Sequence, residues 1–223
     1  MNLALFDLDH TLIPFDSGMA WTRFLVARDV LPPEAPETYL AYCHEYVAGT
    51  LDIHAMHRVT VAPLSVHPRG QIDAWGREFE AEMAGQVPRS MQALVARHRE
   101  AGDLCAIVTA TTRFIAEPFA RLFGITQVVA TEAEVKGDYL TGEIAGEPCY
   151  REHKLTHVQG WLARETPSRT GGLQAFEKSW FYSDSRSDLP LLRAVSHPVA
   201  VRPDPSLREH ALQAGWPVID PAP

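Results

Sequence analysis

Asp7 and Asp9 stand two residues apart in Phe6-Asp7-Leu8-Asp9-His10-Thr11-Leu12, directly after a short apolar run. On an extended chain, residues two apart project from the same face, so both carboxylates would point the same way. Two acids at the end of a buried strand repel each other unless a cation or a shared proton offsets the repulsion. A divalent metal would do this, leaving one carboxylate as ligand and nucleophile and the other free for proton transfer. The same segment also reads as an Asp-rich turn in which Thr11 caps the next helix.

A second acidic pair lies in Ser183-Asp184-Ser185-Arg186-Ser187-Asp188-Leu189-Pro190. Asp184 and Asp188, four residues apart across a strand-to-helix turn, can both reach one ion. All-oxygen ligation of this kind suits Mg²⁺ rather than zinc; helix capping is the plainer alternative. Between the two pairs, Thr109 precedes Ala110-Thr111-Thr112 and a helix-like stretch. A hydroxyl and helix-N-terminal amides at that point make a phosphate cradle, or simply an N-cap. Lys154, in Tyr150-Arg151-Glu152-His153-Lys154, opens another helix, where a positive charge opposes the macrodipole and hints at a second purpose. Its alternative is a solvated surface lysine.

These residues need a frame that brings them together. Strand-like runs occur at Asn2 to Leu8, Leu104 to Val108, Gln127 to Ala130, Ser179 to Tyr182 and Pro198 to Val201. Helix-length stretches separate them: Arg113 to Phe123, Glu152 to Arg164, Leu189 to Val195 and Ser206 to Ala214. That alternation predicts an α/β fold with a doubly wound, mostly parallel sheet. Ligands gather at the carboxyl ends of such strands, where both acidic pairs fall. From about Phe15 to Gln86 no strand is evident; apolar spacings such as Met19, Trp21, Phe24 and Leu25 are helical, with breaks at Pro32-Pro33, Gly49-Thr50, Ala62-Pro63 and Pro68. An inserted helical bundle is expected there. Glu134-Val135-Lys136, Gly137-Asp138 and Tyr139 to Ile144 read as a hairpin, and the tail after Trp216 as a strand with a frayed end.

With 223 residues, 46% hydrophobic, the chain can bury a core of its own without staples, as one large domain or a core carrying a smaller one. Three scattered cysteines (Cys43, Cys105, Cys149) exclude a disulfide framework and every paired-cysteine zinc pattern, and fit a reducing compartment. No apolar run approaches the ~18–20 residues of a membrane span, and the first residues lack the basic start of a signal peptide. A cytoplasmic protein is expected. A net charge of −8 argues against nucleic acid and anionic membranes as partners.

The four segments, in this order, resemble the haloacid dehalogenase superfamily of phosphohydrolases: its Asp-x-Asp-x-Thr motif, its strand-end Ser/Thr, its Lys and its acidic pair. The insertion is similar to that superfamily's helical cap of the first type (C1), and the hairpin with Leu140-Thr141-Gly142 before the Lys resembles the phosphoserine-phosphatase-like branch (subfamily IB). The resemblance implies a Rossmann-like core of residues 1–14 and 87–223 with a cap of residues 15–86. It implies Asp7 as nucleophile, forming an aspartyl-phosphate, and Asp9 as general acid and base. It implies Mg²⁺ held by Asp7, the backbone carbonyl of Asp9 and Asp184, with Asp188 close by or through water. Thr109 and Ala110 would meet the phosphoryl group, and Lys154 would neutralise its charge. Asp9 also argues against the dehalogenase and ATPase branches; the ATPases carry Thr there.

Two departures bear on the substrate. Thr109-Ala110-Thr111 replaces the Ser-Gly-Gly usual in phosphoserine phosphatases, and Asp16 stands where they place a Glu to hold the substrate amine. Related bacterial proteins with a Thr-Ala-Thr second motif include apparent histidinol-phosphate phosphatases, so an amino-alcohol phosphate is expected. The acidic loop carries Arg186-Ser187 where relatives often have Asn. Among residues of the insertion, Asp16, Ser17, Trp21 and Arg23 follow the first motif closely, while His54, His57 and Arg58 form a polar group on a helix; Asp16 and Arg58 are the substrate-binding candidates. The expectation is a Mg²⁺-dependent phosphatase of a small phosphorylated metabolite, working as a monomer or homodimer. The alternatives are a phosphotransferase or mutase using the same intermediate, or a non-catalytic phosphometabolite-binding protein.

Overall fold

The computed structural model describes residues 1–168 and 170–221. The chain begins with β1 (Leu3–Phe6), passes through α1 (Ser17–Val26), α2 (Ala35–Ala48), α3 (Ile53–Val61), α4 (Arg69–Met83) and α5 (Arg89–Glu100), and returns as β2 (Leu104–Thr112). It continues with α6 (Arg113–Phe123), β3 (Gln127–Thr131), a hairpin of β4 (Ala133–Lys136) and β5 (Tyr139–Ile144), and α7 (His153–Glu165). It ends with β6 (Ser179–Ser183), α8 (Leu189–Ala194), β7 (His197–Val201), α9 (Pro205–Ala214) and β8 (Val218–Ile219). The final two residues of the expected frayed end lie outside the described residues.

Among the described residues, six parallel strands form one sheet in the order β3-β2-β1-β6-β7-β8. Winding runs outward from β1 in one direction through β2 and β3, and in the other through β6, β7 and β8. The crevice at the reversal, between β1 and β6, is where such sheets bind ligands. Every residue of β1 is buried. Ala4 and Phe6 face one apolar layer and Leu3 and Leu5 the other, which is the two-sided burial of a central parallel strand. Asp7 continues the row of Leu3 and Leu5, toward the layer that contains α7.

The insertion between β1 and β2 is helical, with ends near the Pro and Gly breaks. Asp16 caps α1 by accepting from the Met19 amide. Gly49, in the left-handed region, closes α2. Trp21 and Phe24 of α1 meet Phe79 of α4, which meets Phe119 of α6, with ring centroids 5.2 to 5.6 Å apart. This aromatic wedge ties α1 and α4 to the sheet layer. By contrast α2 buries only Tyr39. Gly18 is required beneath it, because a Cβ there would overlap the Tyr39 hydroxyl.

The sequence pattern passes over α5. Its buried positions are only Met91, Leu94 and Val95, a stripe too thin to stand out among charged neighbours. The residues after Asp7 also differ from expectation. They do not stay extended: the amides of Thr11, Leu12 and Ile13 all donate to the Leu8 carbonyl, and His10 is left-handed at φ 57°. Thr11 caps no helix; that role falls to Asp16.

Candidate active site

The turn at residues 8–13 separates the two carboxylates of the first motif. Asp7, at the carboxyl end of β1, accepts at Oδ1 from Lys154 Nζ at 2.8 Å. The same ammonium donates to Asp188 Oδ2 at 2.8 Å, so Asp7 and Asp188 lie within the span of one charge. Lys154 is 3% exposed, which excludes the surface-lysine reading. The chain puts it there because α7 begins only at His153, after Cys149 has been buried in the sheet layer and Tyr150 has packed beside Tyr46 of α2.

The loop after β6 closes the other side. Ser183 Oγ donates to Asp188 Oδ2 at 2.7 Å. Thr11 Oγ1 accepts from the Asp184 amide at 3.0 Å and donates to Asp184 Oδ1 at 3.2 Å. The first and last motifs are thereby laced together. From outside, the Arg202 guanidinium donates to the main-chain carbonyls of His10 and Thr11.

Asp9 turns the opposite way. Its Oδ1 accepts from the Ser17 amide at 2.5 Å and its Oδ2 from Thr111 Oγ1 at 2.6 Å. Thr109 is buried, and its Oγ1 accepts from the Thr111 amide at 3.1 Å. A cavity of about 980 Å³ opens over these groups. Asp7, Asp9, Asp16, Thr109, Ala110, Lys154 and Asp184 line it, together with Tyr39, Tyr46, Met56 and His57 from the helical insertion. Asp188 lies next to it, bonded to Lys154.

Two candidates need correction or qualification. Arg58 does not line the cavity: its guanidinium pairs with Glu143 of β5 at 3.2 Å and is half exposed. The helical face chosen for it carries His57 inward instead. Asp16 does line the cavity, but its Oδ1 is engaged by the Met19 amide at 2.7 Å and by the Tyr39 hydroxyl at 2.9 Å. Sequence reasoning missed two contacts that order the site, Thr111 on Asp9 and Tyr46 on the acidic loop. The Tyr46 hydroxyl sits 3.0 Å from Ser187 Oγ and donates to Ser185 Oγ at 3.3 Å. Thr111 lay in plain view as the third residue of Thr109-Ala110-Thr111; nothing in sequence tied Tyr46 to residues 139 and 141 positions away.

The electrostatics are unbalanced. Burial raises the carboxyls of Asp7 and Asp188, with Lys154 working against it at both. At Asp184 burial is again the main cause, and repulsion from Asp7 and Asp188 pushes its carboxyl well above the usual range. Burial would lower the Lys154 ammonium, yet Asp188 and Asp7 hold it well above its ordinary value. Two buried carboxylates thus share one buried cation beside the half-buried Asp184, and Asp188 Oδ1 has no hydrogen-bond partner among the described residues. A buried charge without compensation costs several kcal/mol, and a divalent cation with hard oxygen preference would remove the deficit. No three acidic, histidine or cysteine side chains among the described residues close on one point as a ready-made cage. One or two carboxylates with a main-chain carbonyl and waters are nevertheless what Mg²⁺ takes. The donor set fits. Burial, then repulsion from Asp16, moves Asp9 up to about 6, against the hydrogen bonds from Ser17 and Thr111. An acid near that value can both give and take a proton near neutrality.

Comparison with known proteins decides the family. The model of the haloacid dehalogenase-like hydrolases matches residues 4–193. The chain belongs to the haloacid dehalogenase-like hydrolases. A protein of Neisseria meningitidis (serogroup C, strain 8013) named histidinol-phosphatase is 40% identical, over 98% of each chain. A solved structure from Bordetella pertussis Tohama I, described as a protein of unknown function, is also 40% identical, covering 98% of each chain with a TM-score of 0.89. A substrate-bound phosphoserine phosphatase complex superposes with a TM-score of 0.62 over 93% of this chain and 89% of that one. At 17% identity that likeness shows the fold alone. This haloacid dehalogenase-like hydrolase is a phosphatase, with the α/β sheet of its phosphoserine-phosphatase-like neighbours. No helix among its described residues is long and apolar enough to cross a membrane.

Proposed function

We propose that this phosphatase hydrolyses a small phosphomonoester through an aspartyl-phosphate on Asp7, and that its substrate is a phosphorylated amino alcohol of the histidinol-phosphate kind. The observation that carries the reading is the Lys154 ammonium shared by Asp7 and Asp188, opening onto the same cavity as an independently held Asp9. An Asp7 oxygen attacks phosphorus while the bond to the ester oxygen breaks, and Asp9 gives its proton to the departing alkoxide. Asp9 then takes a proton from the water that attacks the acyl phosphate, releasing inorganic phosphate and restoring both carboxyls. Lys154 and the Thr109 hydroxyl bind phosphoryl oxygens, with Ala110 beside them. Asp7, the Asp9 main-chain carbonyl and Asp184 would hold Mg²⁺, with Asp188 close by or through water. When bound, the ion neutralises charge on the transferring phosphoryl group.

The substrate class follows from the walls and from kinship. The cavity is larger than a phosphate group alone requires, and Leu40, Tyr42, Val47 and Met56 give one side an apolar, aromatic character. Both hydrogen bonds to Asp16 fall on Oδ1, so Oδ2 remains free to meet a substrate ammonium. The relative at 40% identity carries the name histidinol-phosphatase. Residues 15–86 serve as a cap over a core of 1–14 and 87–223. The sparse burial of α2, and Leu40 and Val47 exposed on the cavity side, support a segment that closes onto substrate.

The test is phosphate release across phosphorylated amino acids, amino alcohols, sugars and nucleotides, with Mg²⁺ and with chelator. Preferential, Mg²⁺-dependent release from histidinol phosphate is expected. Turnover that survives chelation would overturn the metal assignment, and a preference for sugar phosphates would overturn the substrate class.

A further inference from the structure

Where β2 leaves its ladder with β3, the register jumps: Val108 pairs with Val129, but the next pairing is Thr112 with Thr131. Four steps on one strand face two on the other, and the surplus bulges toward the cavity. The bulge is held by the Thr111 amide donating to Thr109 Oγ1. It delivers the Thr111 hydroxyl to Asp9 Oδ2 at 2.6 Å. The other Asp9 oxygen is taken by the Ser17 amide, at the start of α1. Ser17 Oγ lies 3.3 Å from Thr111 Oγ1.

From this arrangement we infer that Thr111 is a positioning residue for Asp9, holding its carboxyl in line for proton transfer in both directions. The inference rests on the assignment of Asp9 as acid and base above. The two partners of Asp9 are chemically unequal. The Ser17 amide can only donate, so it suits the carboxylate form. A hydroxyl donates and accepts. Thr111 donates to Oδ2 and can itself accept from Ser17 Oγ, so its bond does not use the lone pair through which Asp9 exchanges a proton with the cavity. A proton turned toward Thr111 would be out of the substrate's reach. No bond is made or broken at Thr111. The Asp9 carboxyl therefore keeps its orientation across both half-reactions. The Ser-Gly-Gly form of this motif has no side chain at the third position to play the part.

The test compares Thr111→Val, Thr111→Ser and Asp9→Asn on phenyl phosphate and p-nitrophenyl phosphate. These probes need no knowledge of the natural substrate. Phenolate is the poorer leaving group and needs the proton; nitrophenolate departs largely without it. The constant kcat/KM covers only the steps up to alcohol release, so it isolates the protonation. Losing a hydrogen bond to a charged group is worth about tenfold or more. Thr111→Val should lower kcat/KM for phenyl phosphate by about tenfold, and for p-nitrophenyl phosphate by less than about threefold. Thr111→Ser, which keeps the hydroxyl, should restore most of the loss. Should Thr111→Val fail to fold, Thr111→Ala carries the same comparison. Equal losses on both esters, or no rescue by serine, would overturn the inference. Asp9→Asn separates the two levels: if it fails to discriminate the esters, the acid assignment itself falls. If Asp9→Asn discriminates and Thr111→Val does not, only the role of Thr111 falls.

Discussion

The ammonium of Lys154 lies 2.8 Å from a carboxylate oxygen of Asp7, across 147 residues of chain. Neither group is solvated enough to hold its charge alone, so each fixes the other's ionisation. Asp7→Asn keeps the shape and removes the nucleophile. Turnover should fall by about 10⁴-fold or more, measured as phosphate release, while the circular dichroism spectrum stays unchanged.

If Mg²⁺ binds as proposed, the charge imbalance at Asp184 should let the folded protein take up the ion before any substrate arrives. Mg²⁺ at a hundred times its Kd should stabilise the fold by about 2.7 kcal/mol, read as a rise in Tm. Asp184→Asn should abolish that rise, and should by itself raise the Tm of the metal-free protein by relieving repulsion.

His57 supplies a pH dependence of stability. Burial lowers its pKa from the ordinary 6.5 to about 4, so the folded state resists its protonation. Its contribution is fully present above 6.5 and is lost as pH falls from there toward 4, because the unfolded chain binds the extra proton. Asp9, raised to about 6, runs the other way and gains stability on acidification. The comparison must therefore be between His57→Leu and the parent chain. Urea unfolding from pH 7 to pH 4 should show the parent losing stability relative to the variant.

Tyr46 joins α2 to the loop that carries Asp184 and Asp188. Removing its hydroxyl in Tyr46→Phe should cost about 0.5–1.5 kcal/mol of stability. KM should rise more than kcat falls, since the contact orients the cavity wall rather than the reacting atoms.

Arg58 provides the counter-example. Its pairing with Glu143 is half exposed on both sides, and such pairs are worth about 0–1 kcal/mol. Arg58→Ala should leave kcat and KM unchanged in the phosphate-release assay.

Much of the sheet was legible because central strands announce themselves: Leu3–Phe6 and Ser179–Ser183 are apolar runs that end on acids at the switch point. The six polar residues of the four motifs cluster where strand ends predict. Finer placement was hidden by the backbone. The turn that diverges Asp9 from Asp7 depends on a left-handed His10, a conformation that no spacing rule assigns to histidine. Thr111 reaches Asp9 only through a bulge in β2. Arg58 was misplaced because a polar run on a helix does not say which face turns inward; the hairpin β4–β5, packed against α3, decided it. The helix α5 escaped notice because its apolar stripe is short: Met91, Leu94 and Val95 fall at helical spacing but cover little more than one turn.

The strand at the centre of the sheet is synthesised before both of the strands that flank it. Leu3–Phe6 pairs with Leu104–Ile107 on one side and Ser179–Tyr182 on the other. At ribosomal rates of about 5–20 residues per second, this apolar segment emerges many seconds before either neighbour exists to shield it. Closure of the sheet around Asp7 therefore waits for Ser179–Tyr182, and until then this unpaired apolar strand is a surface that chaperones can bind.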